Sequence, residues 1–127
     1  PTIKNGDWVL SHRFSSSTMA YQGFGRNLNK RIIKQLETIA CQGIKANLTI
    51  FLDISVDESM RRRVTKKEDR IESEGKIFLT RVANGFKSIA KKENWMIIPA
   101  NESEEIVRKK IKSELIHFFE KINLQRK

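Results

Sequence analysis

Leu48 to Ile54 reads LTIFLDI, a mostly apolar run rich in β-forming residues in which only Thr49 and Asp53 are polar. Such a run suits a strand covered on both faces, as in a parallel sheet. A second run, WMIIPA from Trp95 to Ala100, has the same character. A third follows the Asn5-Gly6-Asp7 turn signal and predicts a short strand from about Asp7 to Ser11. Helical patterns fill the intervals. Ser15 to Tyr21 predicts a short helix capped by Ser15 or Ser16. Asn29 to Gln42 places Ile32, Ile33, Leu36, Ile39 and Ala40 on one face, with Gly43 as the stop. Ser55 followed by Glu58 is a capping-box signature that opens another helix. A long helix is predicted from about Ile71 to Lys92, with Phe78, Leu79, Val82, Phe86, Ile89 and Ala90 inward. A last amphipathic helix runs from Ser103 to about Ile122 and carries Ile106, Val107, Ile111, Leu115 and Phe118. Strands alternating with helices imply an α/β fold with three parallel strands joined by right-handed crossovers. Ligands on such sheets bind at the carboxyl ends of the strands. His12 and Arg13, then Asp53, then Pro99, Ala100 and Asn101 occupy those ends.

The size and composition agree with one globular domain. The chain has 127 residues, 39% hydrophobic and 31% charged. No apolar run approaches the ~18 residues of a membrane helix, and no signal-peptide pattern opens the sequence. Cys41 is the lone cysteine and reads as a buried helix residue; no internal disulfide framework exists, which fits a reducing cytoplasm. The formal net charge is +10. Three readings of it compete: a nucleic-acid surface, a pocket for phosphate-rich ligands, and a solvated lysine bias on helical faces. Aromatics do not alternate with the basic runs as a single-strand stacking platform requires, so nothing specific points to nucleic acid.

Chemistry concentrates in two stretches. In the first, VLSHRFSSSTMAYQGFGR (Val9 to Arg26), Arg13 lies just past a strand. A guanidinium there needs an anion, either a bound phosphate or a carboxylate elsewhere in the fold. Ser15, Ser16, Ser17 and Thr18 suit helix capping, and equally a polar ligand. On a helix, Ser17 and Tyr21 share a face with Thr18 adjacent, an array that suits a nucleoside. Gly23-Phe24-Gly25-Arg26 lacks the spacing of a dinucleotide loop. The second stretch, MRRRVTKKEDRIESE (Met60 to Glu74), holds six basic residues between two predicted helices. Such a segment is either a solvated helix end or a cover that closes over phosphates.

Together these stretches resemble the thymidylate kinase family. In that family a strand leads into Asp-Arg-aromatic, a Ser/Thr-rich turn and Ala-Tyr-Gln-Gly-x-Gly-Arg. Arg13, Phe14, Ser17, Thr18, Ala20, Tyr21, Gln22, Gly23, Gly25 and Arg26 match this pattern. NLTIFLDIS resembles the family's next strand, RRRVTKKEDRIESE its lid with Asp-Arg-Ile-Glu at Asp69 to Glu72, and WMIIPANESEEIV its last strand and adenine-side loop. The resemblance is collinear over nearly the whole chain. It implies a partial P-loop NTPase-type nucleoside monophosphate kinase fold and transfer of the ATP γ-phosphate to dTMP, giving dTDP, with Mg²⁺. It further implies that Arg13 holds phosphate, that Ser17 and Thr18 lie beside thymine, that Tyr21 packs by the deoxyribose and that Gln22 supports the base site. Arg62 and Ala100 would lie on the adenine side. Arg63, Lys66 or Lys67 would supply transition-state charge. A homodimer of the full-length protein and a cytoplasmic location complete the expectation.

Two departures qualify the resemblance. His12 stands where the family has an aspartate expected to help hold Mg²⁺, an ion that prefers oxygen ligands; Asp53 at the next strand end is the candidate to compensate. The sequence also contains no Gly-x-x-x-x-Gly-Lys-Ser/Thr loop. Pro1 rather than methionine opens the chain, and the resemblance starts at the family's third strand. Residues 1–127 are therefore expected to be the C-terminal portion of a single kinase domain, with its lid at about 61–70, and inactive alone. The alternative is a non-catalytic basic α/β module that binds nucleotides or nucleic acid.

Overall fold

The computed structural model describes residues 2–63 and 75–125. Its frame is one βαβ unit. Strand β1 (Ile50–Asp53) pairs in parallel with strand β2 (Met96–Pro99), in the register Ile50 to Met96 through Asp53 to Pro99. Helices α3 (Val56–Arg63) and α4 (Lys76–Lys92) lie between them in the chain. Before the sheet come α1 (Ser16–Thr18), which runs directly into a wide π-helical turn (Met19–Gly25), and α2 (Lys30–Cys41). After it comes α5 (Glu104–Gln125). Among the described residues, no helix is long and apolar enough to cross a membrane.

Helix α4 organises the larger core. Its Phe78, Leu79, Val82 and Ile89 are buried together with Ala20 of the π-helical turn. Full burial of one such side chain is worth ~1.5–3 kcal/mol, so this contact outweighs the pairing of two four-residue strands. Two glycines permit the close approach. A Cβ on Gly25 would lie 2.6 Å from Phe78 Cε2, and one on Gly85 would lie 2.7 Å from Phe24 Cβ. The helical face predicted for α4 is therefore observed, although residues 71–74 of the predicted span lie outside those described. A smaller core joins Ile98 and Ala100 at the end of β2 to Val107 of α5.

Three expectations need correction. Among the described residues the sheet has two strands, not three. Asp7 to Ser11 forms no strand: Trp8, Val9 and Leu10 are exposed, and Leu10 fully so. β-propensity makes a strand only where a neighbour supplies hydrogen bonds and a covered face, and β1 pairs with β2 alone. The run 48–54 is not covered on both faces either, since Leu52 is exposed. The third correction concerns α2. Asn29 caps it, with Oδ1 accepting from the N–H of Arg31 and of Ile32 at 3.0 and 3.4 Å, and Gln42 ends it in a left-handed conformation before Gly43. Of its predicted inner face only Ile33 is buried; Ile32, Leu36, Ile39 and Ala40 face solvent. Cys41 is free and half-buried at the end of this helix.

Candidate functional site

Two clusters sit at the ends of the chain's apolar runs. The first is built on the stretch from Arg13 to Gly25. Arg13 has a left-handed backbone, φ +53°. That conformation costs a non-glycine residue ~1–2 kcal/mol. It turns the chain from its extended approach into α1, and the guanidinium carbon comes to lie 4.6 Å from the centroid of the Tyr21 ring. Tyr21 is half-buried because α4 backs it: Phe78 and Phe86 lie at centroid distances of 6.1 and 6.2 Å. Phe86 in turn stacks on Phe51 of β1 at 5.9 Å. The phenol is thus wedged between a cation and a wall of aromatic rings.

One hydroxyl beside this pair, that of Ser15, bonds to α2. Glu37 is one-tenth exposed and bonds Lys34 Nζ at 2.9 Å. Burial pushes its carboxyl up, but hydrogen bonds from Lys34 and Ser15 outweigh this and leave it below the usual range. Ser15 is therefore tied to α2 as well as preceding α1. Ser17 and Gln22 are half-buried and Thr18 is exposed. The structure brings Arg13 and Tyr21 into direct contact, with Ser17 and Thr18 in the short helix between them.

The second cluster joins the exits of β1 and β2. The Ala100 N–H donates to the Asp53 carbonyl at 2.8 Å, and the Ser55 N–H donates to Asn101 Oδ1 at 2.9 Å. Ser55 Oγ accepts from the Glu58 N–H at 3.3 Å, which is half of the predicted capping box. The other half is absent, because the Glu58 carboxylate is engaged by arginines. It takes a two-pronged contact from Arg61 at 2.7 and 2.8 Å, and Arg62 Nε at 2.7 Å. Hydrogen bonds from Arg61, then Arg62, hold its pKa down to about 2. Arg62 Nη2 also donates to the carbonyls of Asn101 and Glu102 at 3.2 and 2.9 Å. An open cleft of about 430 Å³ is lined by Glu58, Arg61, Arg62, Asn101, Glu102, Ser103 and Glu104.

Arg62 and the Ala100–Asn101 loop, both expected on the adenine side, therefore share one place, with the Ala100 side chain buried in the smaller core. Of the expected lid, Arg61–Arg63 close helix α3, while residues 64–70, including Lys66 and Lys67, lie outside those described, as does the side chain of Arg63. His12 is exposed. Asp53 Oδ1 lies 3.1 Å from Lys87 Nζ of α4, so this carboxylate is already paired. Among the described residues no group of three or more His, Cys, Asp or Glu side chains is placed to hold a metal ion.

Sequence reasoning missed Glu58 as the partner of Arg61 and Arg62. The signal was present in the i,i+3 and i,i+4 spacing on a helix. The bond from Ser55 to Asn101 spans 46 residues and had no local signal.

A thymidylate kinase family model matches residues 1–111. The thymidylate kinase of Prochlorococcus marinus (strain SARG) is 58% identical over 123 residues, covering 97% of this chain and 56% of that protein. The thymidylate kinase of strain MIT 9301 is 52% identical over 119 residues, with 94% and 56% coverage. That of Parasynechococcus marenigrum (strain WH8102) is 48% identical over 116 residues, with 91% and 56% coverage. The chain spans about half the length of the curated relatives it matches. With the family model covering most of its residues, the chain belongs to the thymidylate kinase family.

Proposed function

We propose that this chain forms the thymidylate-binding side and the adenine-side loop of an enzyme that transfers the γ-phosphate of ATP to dTMP. A dTMP phosphate oxygen would attack the γ-phosphorus, the bond to the β,γ-bridging oxygen would break, and dTDP and ADP would leave. The observation that carries the reading is the Arg13–Tyr21 pair, a guanidinium 4.6 Å from the ring centroid of a half-buried phenol, flanked by Ser17 and Thr18. In this reading the guanidinium receives the nucleotide phosphate. The exposed Thr18 hydroxyl and its neighbour Ser17 face the thymine edge. The Tyr21 ring excludes a 2′-hydroxyl, and Gln22 supports the base. Arg63, Lys66 or Lys67 would stabilise the charge spread over the transferring phosphoryl group. Mg²⁺ would accompany the ATP phosphates, since this ion typically binds through one or two carboxylates together with substrate oxygens.

The unit is residues 1–127 of a kinase domain, with the lid at about 61–70. A homodimeric full-length protein in the cytoplasm completes the reading, and the exposed apolar residues Leu36 and Ile39 of α2 support a protein contact there. By itself the chain is expected to bind dTMP without turning it over, because its sequence contains no phosphate-cradling glycine loop. Calorimetric titration tests this, with dTMP compared against its ribose counterpart and a parallel assay for dTDP formed from ATP and dTMP. Saturable binding that prefers the deoxyribose supports the reading. No dTMP binding overturns it, and dTDP formation by the chain alone overturns the expected inactivity.

A further inference from the structure

Helix α3 is strongly polar, and its last turn places Arg61 and Arg62 side by side next to the β2 exit. Two free guanidiniums there would swing as independent point charges. The geometry removes that freedom. Both touch the same carboxylate, Glu58, which is only 18% exposed, whereas the side chain of Arg61 is 74% exposed and that of Arg62 is 41% exposed. Among the described residues Arg61 is held from its own helix, by Glu58. Arg62 is held from two elements at once, by Glu58 within α3 and by the carbonyls of Asn101 and Glu102 beyond β2.

An arginine has five N–H bonds, all in one plane. Three of those on Arg62 are committed in that plane: one on Nε to Glu58 and two on Nη2 to the carbonyls. The committed edge has little left to offer an anion, and the pair with Glu58 lowers the local positive charge. What remains are the two N–H bonds of Nη1 and the flat face of the guanidinium, and that face is a surface suited to stacking on a heteroaromatic ring. Asn101 reinforces the arrangement. Its backbone carbonyl receives Arg62 while its side-chain amide oxygen receives the Ser55 N–H, so one residue fixes the loop after β1 against the loop after β2. Charge-assisted hydrogen bonds of this kind are roughly twice as strong as neutral ones, and a flat stacking surface is useful only when its tilt is fixed.

We propose that Glu58 is a positioning residue for the donor nucleotide: it holds Arg62 edge-on in the cleft so that the guanidinium face stacks on the adenine ring. The inference rests on the kinase reading, which supplies ATP as the donor. Glu58 itself touches no nucleotide and acts through Arg62, with Asn101 as the second support. Arg61 serves only to share the carboxylate.

The test uses the 127-residue chain and two probes, ADP and inorganic tripolyphosphate. The Arg62 Nε–H resonance is followed in each titration. Wild-type chain is expected to show a ring-current shift with ADP and none with tripolyphosphate. Glu58→Gln is expected to weaken ADP at least fivefold and to leave tripolyphosphate unchanged. Arg62→Ala is expected to lose the same ADP affinity, and Glu58→Gln added to Arg62→Ala is expected to lose nothing more. A general loss of α3 structure would instead weaken both probes and would persist in the Arg62→Ala background, which overturns the proposal. Unchanged ADP affinity in Glu58→Gln overturns it as well, and so does a wild-type chain that ignores ADP. A separate dTMP titration of the same variants tells the two failures apart. Retained dTMP binding leaves the kinase reading standing without the Glu58 role, and absent dTMP binding removes both.

Discussion

Arg13 sits against the preference of its own backbone. Its left-handed φ of +53° costs ~1–2 kcal/mol, and an exposed cation–π contact to Tyr21 returns only ~0.5–1 kcal/mol. Folding alone does not favour an arginine there. Arg13→Gly relieves the backbone cost and forfeits the ring contact, so the midpoint of urea unfolding should change by no more than about 1 kcal/mol in stability. dTMP affinity should fall tenfold or more, because the charged fork is gone. A calorimetric affinity that survives the substitution removes Arg13 from the site. Glu58 gives a prediction in pH. Its carboxyl is held at about 2, below an ordinary value of 4.5. A depressed folded-state value means that the contribution of its arginine contacts is complete above about pH 4.5 and is lost as pH falls toward 2. Carboxyl-carbon shifts of Glu58 should therefore stay flat from neutrality to about pH 4.5 and move only below it. A midpoint near 4.5 would show that the carboxylate is not engaged in solution.

At the scale of elements, α4 against the π-helical turn Met19–Gly25 is the contact that positions the Arg13–Tyr21 pair. Gly85 is a tight point on α4, where an added Cβ would meet Phe24 Cβ and Cγ at 2.7 Å. Gly85→Ala should destabilise the chain by ~1–3 kcal/mol through overpacking, despite alanine's better helix propensity of ~1 kcal/mol. Chemical denaturation measures the sign directly, and a more stable variant would mean that the turn does not dock on α4 in solution. The α4 face was legible in the sequence because every inward residue from Phe78 to Ala90 obeys one helical period, and its partner surface lies within the chain. Ser55 was legible as a cap because caps are local. The α2 face obeyed the same period, yet Ile32, Leu36 and Ile39 are exposed. Periodicity states which side of a helix is apolar, not whether anything covers it. The strand predicted for Asp7 to Ser11 failed for a related reason, since a strand is a property of two segments and the sequence presents one. Arg13 and Tyr21 were each legible as candidates through the family resemblance, but their mutual contact was not, and neither was the bond between Asn101 and Ser55, which are 46 residues apart.

At the scale of the molecule, the balance of covered and open surface is unusual for a free monomer. Among the described residues no large side chain is fully buried, while Trp8, Leu10, Leu36 and Ile39 are among those at least 60% exposed. Exposed apolar residues grouped on one helix face, as Ile32, Leu36 and Ile39 are on α2, favour association with other protein surface. The net charge of +10 opposes self-association by mutual repulsion, and salt screens that repulsion. Sedimentation velocity should therefore show a coefficient that rises with concentration, and more steeply at high salt than at low. Leu36→Lys should reduce the rise by placing charge at the centre of the α2 face. A coefficient independent of concentration and salt would mean that these residues are shielded in solution. Tyr21 offers a simpler way to watch the whole. It is the sole tyrosine of the 127 residues, and it is pinned between Arg13 and the rings of α4. One isotope-labelled phenol would thus give one resonance, a built-in beacon that brightens or drifts as a nucleotide arrives and broadens when the helix behind it lets go.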